Sequence, residues 1–300
     1  RTGARLAWVP RRIGERTGVE AGTLPNLLPG GRPVADAAAR VDTATAWGVE
    51  SLPAEEGRDT AGILAAAASG ELAGLVLGGV EIDDLPDPAA AREALAAAGF
   101  VVSLEVRESD VHEHADVVLP VAPPSEKAGT YVNWEGRLRP FGQALESNAM
   151  SDYRVLSALA DELDVDLAIA TADLAHAEIA HLGAWDGARA AAPVVGAAPV
   201  PEVGPGEAVL ATWRLMLDLG RGQDGEPYLA GTAKSPVARL SAATAHALGV
   251  ADGEQVAVST EHGTITLPAL ATPMADHVVW LPGNSPGSRV RPTLRAGGGS

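Results

Sequence analysis

Glu126, Gly129, Thr130, Asn133 and Arg137 stand within one short stretch, Ser125-Glu-Lys-Ala-Gly-Thr-Tyr-Val-Asn-Trp-Glu-Gly-Arg137. Their types suit a flat ligand with a mixed edge. Thr130, Asn133 and Arg137 supply donors, and Glu126 and Glu135 supply acceptors. Gly129 offers a backbone position with φ > 0, through which main-chain N–H groups can approach a planar ring. The stretch follows Ala115-Asp-Val-Val-Leu-Pro120, an apolar run closed by Pro that reads as the end of a short buried strand. A polar loop beyond the C-terminal end of a strand is where α/β proteins place ligands. The same residues also suit a purely internal role, with Arg137 paired to Glu126 or Glu135 and Asn133 tying down the loop backbone. Both readings stay open at the level of residue types.

The other candidate sites offer less. His112-Glu-His114 suggests a metal pair, but residues two apart on a helix point in nearly opposite directions, so the stretch reads as a solvated helix end. His176, His181, His246, His262 and His277 lack the companions that a zinc site requires. Gly78-Gly-Val-Glu81-Ile-Asp83-Asp84 follows a strand, yet it has no G-x-G-x-x-G spacing and its carboxylates would repel phosphates. We read it as a solvated turn. Asn284-Ser-Pro-Gly-Ser288 is a polar turn that either contacts a nucleotide or is simply rich in turn formers. G-x-S-x-G is absent, and no acid–base pair stands out among 39 acidic residues.

The elements that must hold these residues alternate. Asp59 or Thr60 caps a helix to Ser69, stopped by Gly70, before a buried strand at Leu72–Leu77. Asp87-Pro88 starts a helix that ends at Gly99. Phe100–Leu104 is a strand, about Ser109 to His114 a short helix, and Val117–Leu119 a third strand. This order predicts a parallel sheet with crossover helices. Ser151 or Asp152 caps a helix whose Val155, Leu156, Leu159 and Leu163 share a face. Ile13 to Pro33, rich in Gly and Pro, is expected to wrap a surface without forming an element.

The fold class expected is α/β. A parallel-sheet, Rossmann-like domain covers residues 1–170, and a helical then Pro/Ala/Gly-rich linker covers 171–207. A small β-barrel domain of double-psi type covers 208–300. In that last part Trp213–Leu217, Tyr228–Ala230 and His277–Leu281 read as strands, and Ser241 to Leu248 as a capped helix ending at Gly249. Glu254–Thr260 and Thr264–Leu270 form a hairpin around Glu261-His-Gly263.

Three hundred residues accommodate about two domains. Apolar residues make up 46% and aromatics only 4%, so the core must be close-packed Ala, Val and Leu. A net charge of −17 argues against nucleic acid and against docking on anionic lipid. Two Lys against twenty Arg, with abundant Ala and Gly, suit a high-GC genome. The absence of Cys excludes disulfides, Cys-ligated zinc and Cys-ligated iron–sulfur clusters within these residues. No 18-residue apolar run and no basic-then-apolar leader are present, so neither a span nor a signal peptide is expected. The chain lacks an initial Met and Leu6–Pro10 begins at once as a strand, which reads as a piece of a longer polypeptide. Gly297–Ser300 reads as a linker or an ordinary loop.

The run ADVVLP, then Glu126-Lys-Ala-Gly-Thr130, then Asn133-Trp-Glu-Gly-Arg137, resembles the molybdopterin oxidoreductase superfamily, in which this loop lies against the pterin. Ser151–Ala160 resembles the helix that follows it. Leu240–Gly253, Val256–Thr266 and Val279–Pro282 resemble the dinucleotide-binding barrel. Within the superfamily, Arg5–Arg12, Leu27-Leu-Pro-Gly-Gly31-Arg-Pro, Gly78-Gly-Val and Pro123–Glu135 look most like the G-subunit family of bacterial, specifically actinobacterial, NADH–quinone oxidoreductase (complex I). That resemblance implies iron–sulfur clusters in a part upstream, no molybdenum and no bound cofactor here. It implies a structural role in the peripheral arm on the cytoplasmic side of the cell membrane, with other complex I subunits as partners. Two alternatives are carried. One is the C-terminal region of a molybdenum or tungsten bis-pterin enzyme such as formate dehydrogenase or nitrate reductase, in which Glu126, Gly129, Thr130, Asn133 and Arg137 bind pterin. The other is a stand-alone interaction domain.

Overall fold

The structure is a computed structural model that describes residue 3 and residues 14–191, 202–223 and 225–290. The expected strand at Leu6–Pro10, most of the Pro193–Pro205 linker and the Gly297–Ser300 end lie outside the described residues. The chain divides into two units, Arg1–Pro193 and Val194–Ser300.

The first unit opens where no element was expected. Helix α1 (Glu15–Ala21) ends at Gly22, whose left-handed backbone (φ 71°) donates N–H to Val19 O. Strands β1 (Leu27–Leu28) and β2 (Arg32–Pro33) pair antiparallel. Helix α2 (Ala37–Trp47) starts at Asp36, whose carboxylate accepts from Ala38 N and Ala39 N, and stops at left-handed Gly48. An Ala-rich helix with few large apolar residues gives a weak periodic signal, so α2 escapes detection from sequence.

The core of this unit follows the predicted alternation. Helix α3 (Thr60–Ala68) is capped by Asp59 through Gly62 N, and helix α4 (Pro88–Ala97) by Asp87 through Ala89 N and Ala90 N. Strands β3 (Leu75–Gly78), β4 (Val101–Glu105) and β5 (Val117–Pro120) form a parallel sheet in the order β3-β4-β5. Ala67, Ala91 and Ala94 let the helices approach closely over Leu75, Val101 and Ile82, all in one buried cluster. β3 begins at Leu75 and not at Leu72, because Leu72 N still bonds back to Ala66 O at the end of α3. β5 is not a buried strand. Val117 and Val118 are 37% and 38% exposed, and it lies at a sheet edge among the described residues.

Beyond β5 the expected loop is mostly a second small sheet. A single 3-10 turn at Pro124–Glu126 leads into strands β6 (Gly129–Val132) and β7 (Leu138–Phe141), paired antiparallel from Gly129↔Phe141 to Val132↔Leu138. Helix α5 (Asp152–Asp161) buries Val155, Ser157 and Ala160, whereas Leu156, Leu159 and Leu163 are exposed. The buried face is thus rotated from the leucine stripe. Val155 meets Leu104 and Val121 because the α5 N-terminus is pinned by the Ala122 N to Met150 O bond. Helix α6 (Ala172–Leu182) packs on α2, within the first unit.

The second unit is a five-stranded curled sheet in the order β10-β11-β9-β12-β8. Strand β8 spans Val209–Trp213, ending where the predicted strand began. Pro227–Ala230 is a helical turn (α7) and not a strand, since Glu226 accepts from Leu229 N and Pro227 sits at the first helical position. Strand β9 (Ala238–Leu240) precedes helix α8 (Ala242–Leu248), capped by Ser241 and stopped by left-handed Gly249. Strands β10 (Gln255–Thr260) and β11 (Gly263–Ala271) form the expected hairpin, with Thr260↔Gly263 its last pair. β11 then pairs parallel with β9, so one long strand joins two partners. Strand β12 (Val278–Pro282) pairs parallel with β8 and antiparallel with β9. Leu240, Val256, Leu267, Val279 and Leu281 form the core.

Candidate functional site

The β6–β7 hairpin carries four of the five singled-out residues. Thr130 alternates in direction with Gly129 and Tyr131, so the two sides of the hairpin do different things. On one side Tyr131 stacks on Phe141 with ring centroids 4.8 Å apart. Gly129 faces that ring from the opposite strand, and a Cβ there would lie 2.8 Å from Phe141 Cζ. Gly129 therefore serves a close ring approach and has no positive φ. The positive φ belongs to Gly136 (81°), in the turn. On the other side Thr130 Oγ and His176 Nε2 of α6 share a hydrogen bond.

At the hairpin tip, Asn133 Oδ1 accepts from Glu135 N at 3.0 Å and Arg137 N at 2.9 Å. Asn133 Nδ2 donates to Glu135 Oε2 at 3.4 Å, and Arg137 Nε lies 3.3 Å from that same oxygen. The tip is thus an Asx-type turn closed by its own ion pair. Arg137 selects Glu135 and not Glu126. The Glu126 side chain has no partner among the described residues and sits in the preceding 3-10 turn. Its neighbour Lys127 pairs with Asp152 at the start of α5.

The five residues accordingly divide into a tip pair, a base pair and an isolated carboxylate. Thr130 and Asn133 are three residues apart along an extended strand, roughly 10 Å. A pterin edge needs several free donors and acceptors converging within hydrogen-bond reach. Here Asn133, Arg137 and Thr130 each hold an intramolecular partner, and none has a buried polar atom left without one. As placed, Asn133 Oδ1 and Thr130 are engaged internally, while Glu126 and the Arg137 Nη groups have no partner among the described residues.

Of the remaining candidates, the Gly78–Asp84 turn is the most committed. Asp83 accepts from Arg92 at 3.0 Å and Asp110 at 3.3 Å, and these bonds, Asp83's foremost, raise the Arg92 guanidinium above its ordinary value. Glu81 pairs with Arg107 at 3.7 Å, so the Gly78–Asp84 turn is laced by ion pairs. His112 and His114 lie on a 3-10 turn, Asp110–His114, with His112 Nε2 buried and unbonded. Among the described residues no group of three or more His, Asp or Glu is placed to hold a metal ion. In the second unit, Ser285 and Ser288 exchange backbone bonds of 2.9 and 2.8 Å, and Ser288 Oγ donates to Pro282 O at 2.7 Å. That leaves Ser285 Oγ buried without a partner.

Sequence reading missed a buried, heavily used polar side chain. Arg32 is 1% exposed and sends Nη1 to Pro29 O (3.1 Å) and Gly183 O (3.3 Å), and Nη2 to Leu182 O (2.8 Å). Its guanidinium lies 5.5 Å from the Trp185 ring centre. It caps the C-terminal end of α6 from a hairpin about 150 residues away in sequence. A lone Arg after two glycines carries no local signal of this.

Comparison with known proteins places the fold in context. The family described as molybdopterin oxidoreductase matches residues 5–162, and the "Molydopterin dinucleotide binding domain" matches residues 209–297. The chain is 57% identical over 303 aligned residues to the NADH-quinone oxidoreductase G subunit of Mycobacterium bovis, covering 100% of this chain and 38% of that protein. It is 55% identical to the Streptomyces coelicolor protein of the same name, covering 96% and 35%. A putative formate dehydrogenase of Bacillus subtilis, YrhE, is 32% identical over 147 residues, covering 48% of this chain and 15% of that one. Among solved structures, acetylene hydratase from Pelobacter acetylenicus superimposes with a TM-score of 0.51 at 16% identity, covering 81% of this chain and 42% of that chain. The chain spans well under half the length of the curated relatives it matches. With one family match spanning more than half of its residues, the chain belongs to the molybdopterin oxidoreductase family.

Proposed function

We propose that these residues are a structural, non-catalytic C-terminal part of the G subunit of a proton-translocating NADH–quinone oxidoreductase. The reading rests above all on one observation. Likeness to the actinobacterial G subunits runs the whole length of the chain, whereas likeness to formate dehydrogenases covers about half of it. The β6–β7 hairpin supports it, because its polar groups are engaged with one another and with α6. In this reading the hairpin is a remnant of a pterin loop, and the second unit is a barrel of double-psi type that retains the shape of a dinucleotide-binding domain. The polypeptide would sit in the cytoplasmic peripheral arm among other subunits and support iron–sulfur clusters carried upstream. No helix among the described residues is long and apolar enough to cross a membrane, which suits a peripheral position.

The second reading is a molybdenum or tungsten bis-pterin enzyme, favoured by the 32% identity to YrhE. Elemental analysis and assay of released, oxidised pterin on the intact purified protein separate the two. The proposal expects iron but no molybdenum, tungsten or pterin above trace. Stoichiometric molybdenum or tungsten with pterin would overturn it.

A further inference from the structure

The first unit contains an apolar cleft unrelated to the hairpin. It is an open groove of about 470 Å³ between the segment leading into β1–β2 and the loop ahead of α3. Leu24, Leu27, Leu28, Leu52 and Pro53 line it. The walls are fixed by the backbone. Gly57 N donates to Pro25 O at 2.9 Å, Leu27 N to Leu24 O at 3.0 Å and Val34 N to Asn26 O at 3.0 Å. Gly22 tightens the turn further, since a Cβ there would lie 2.2 Å from the Leu28 carbonyl carbon. A cleft held this way accepts a partner without ordering first, which saves binding free energy.

Its charge indicates the partner. Glu55 and Glu56 lie on the lining, exposed, and neither has a hydrogen-bond or ion-pair partner among the described residues. The one cation on the lining, Arg58, is already paired with Glu71. No lining residue has a buried polar atom lacking a partner, so the cleft lacks the converging polar groups that orient a small molecule. Unpaired carboxylates would repel an anionic lipid surface. An apolar pocket with a cation-seeking rim is the arrangement that receives a large apolar anchor from a basic polypeptide segment.

We propose that this cleft docks a segment of a neighbouring protein subunit, with one or two large apolar side chains inserted and flanking Lys or Arg facing Glu55 and Glu56. The proposal rests on the reading of the chain as part of a multisubunit complex. The test uses the full-length polypeptide in its assembled complex, with the photo-crosslinker p-benzoylphenylalanine in place of Leu24 and, separately, of Pro53. Irradiation followed by mass spectrometry should join each probe to one other subunit, within a segment bearing Lys or Arg. Glu55→Lys with Glu56→Lys should lower the adduct yield about tenfold, while Glu55→Gln with Glu56→Gln lowers it less. Adducts confined to the same polypeptide, adducts to an acidic segment, or an undiminished yield in the Lys variant would each overturn the proposal. An assembled complex with no adduct from either probe removes the docking site and leaves the subunit reading standing. Failure of the unsubstituted polypeptide to join any complex removes the subunit reading and this proposal with it.

Discussion

Replacing Arg32 by Met tests how the first unit is held together. The side chain is 1% exposed, and its guanidinium serves the carbonyls of Pro29, Leu182 and Gly183 at 3.1, 2.8 and 3.3 Å. Met fills much of the same volume but leaves all three oxygens without their donor. Gly183 is exposed, so water can take over at that oxygen, whereas Pro29 and Leu182 are half-buried. With about 1.5–3 kcal/mol for each buried bond to a charged donor, counted for two carbonyls and reduced for partial water access, Arg32→Met should cost about 3–4 kcal/mol. For a unit of this size that corresponds to a Tm lower by on the order of 10 °C. Asp42 supplies an internal control. It lies 3.5 Å from Nη2 but is 49% exposed, so Asp42→Asn should cost less than about 0.5 kcal/mol. Arg32→Lys keeps the charge, yet one ammonium cannot span the Pro29 and Leu182 oxygens, and it should lose about 2 kcal/mol. Thermal and urea unfolding give the stabilities, and hydrogen exchange over residues 172–183 gives the location. A cost below about 1 kcal/mol for Arg32→Met, or an equal cost for Asp42→Asn, would refute this account of the α6 cap. Unchanged exchange in α6 would refute it as well.

Two further substitutions probe the hairpin and the second unit. Asn133→Ala removes the acceptor for Glu135 N and Arg137 N and should cost about 1 kcal/mol in urea unfolding, while Asn133→Asp, which keeps that oxygen, should stay within about 0.5 kcal/mol. If Asn133→Ala instead leaves stability unchanged and releases pterin from the intact protein, the reading of the hairpin as a remnant fails. Ser241→Ala deletes the cap of α8, where Ser241 Oγ accepts from Thr244 N at 3.0 Å and donates to Asp276 at 2.5 Å. It should cost about 1–2 kcal/mol, and an unchanged melting curve would show that α8 is held by packing alone.

What was legible in the sequence was local chemistry. Asp59, Asp87 and Ser241 announce helix starts because a short polar side chain satisfies its own neighbours' N–H groups, and Gly249 announces a stop because only a left-handed residue closes the helix there. The Thr260–Gly263 turn was legible for the same reason. The errors came where distant contacts decide. Leu156, Leu159 and Leu163 form a periodic stripe, but the helix buries Val155, Ser157 and Ala160, with Val155 packed against Leu104 of the sheet. The stretch from Gly129 to Phe141 contains Gly and Pro and polar side chains, so it reads as a loop, yet cross-strand pairing and the Tyr131–Phe141 stack make it a hairpin. Gly129 was assigned a backbone role because Phe141, the ring that excludes a Cβ there, lies on the opposite strand.

The two polar regions of the first unit differ in how far their groups are spent, and that difference bears on where an outside molecule would be recognised. A pterin seated at the hairpin would meet Asn133 Oδ1 already accepting from two backbone N–H groups and Arg137 Nε already beside Glu135, with the Arg137 Nη groups still able to donate. Recruiting Asn133 Oδ1 itself would forfeit up to about 1 kcal/mol for each backbone bond released, and the exposed Arg137–Glu135 pair adds little to that cost. Thr130 would also have to leave His176. At the cleft near β1–β2 nothing comparable must be released. Glu55 and Glu56 have no partners among the described residues, and the leucines beside them already face open space. Recognition there gains apolar burial and ion pairing without first breaking internal bonds. The tip of the hairpin spends Asn133 on its own backbone, whereas the cleft keeps Glu55 and Glu56 available, so a cationic partner meets less internal competition at the cleft.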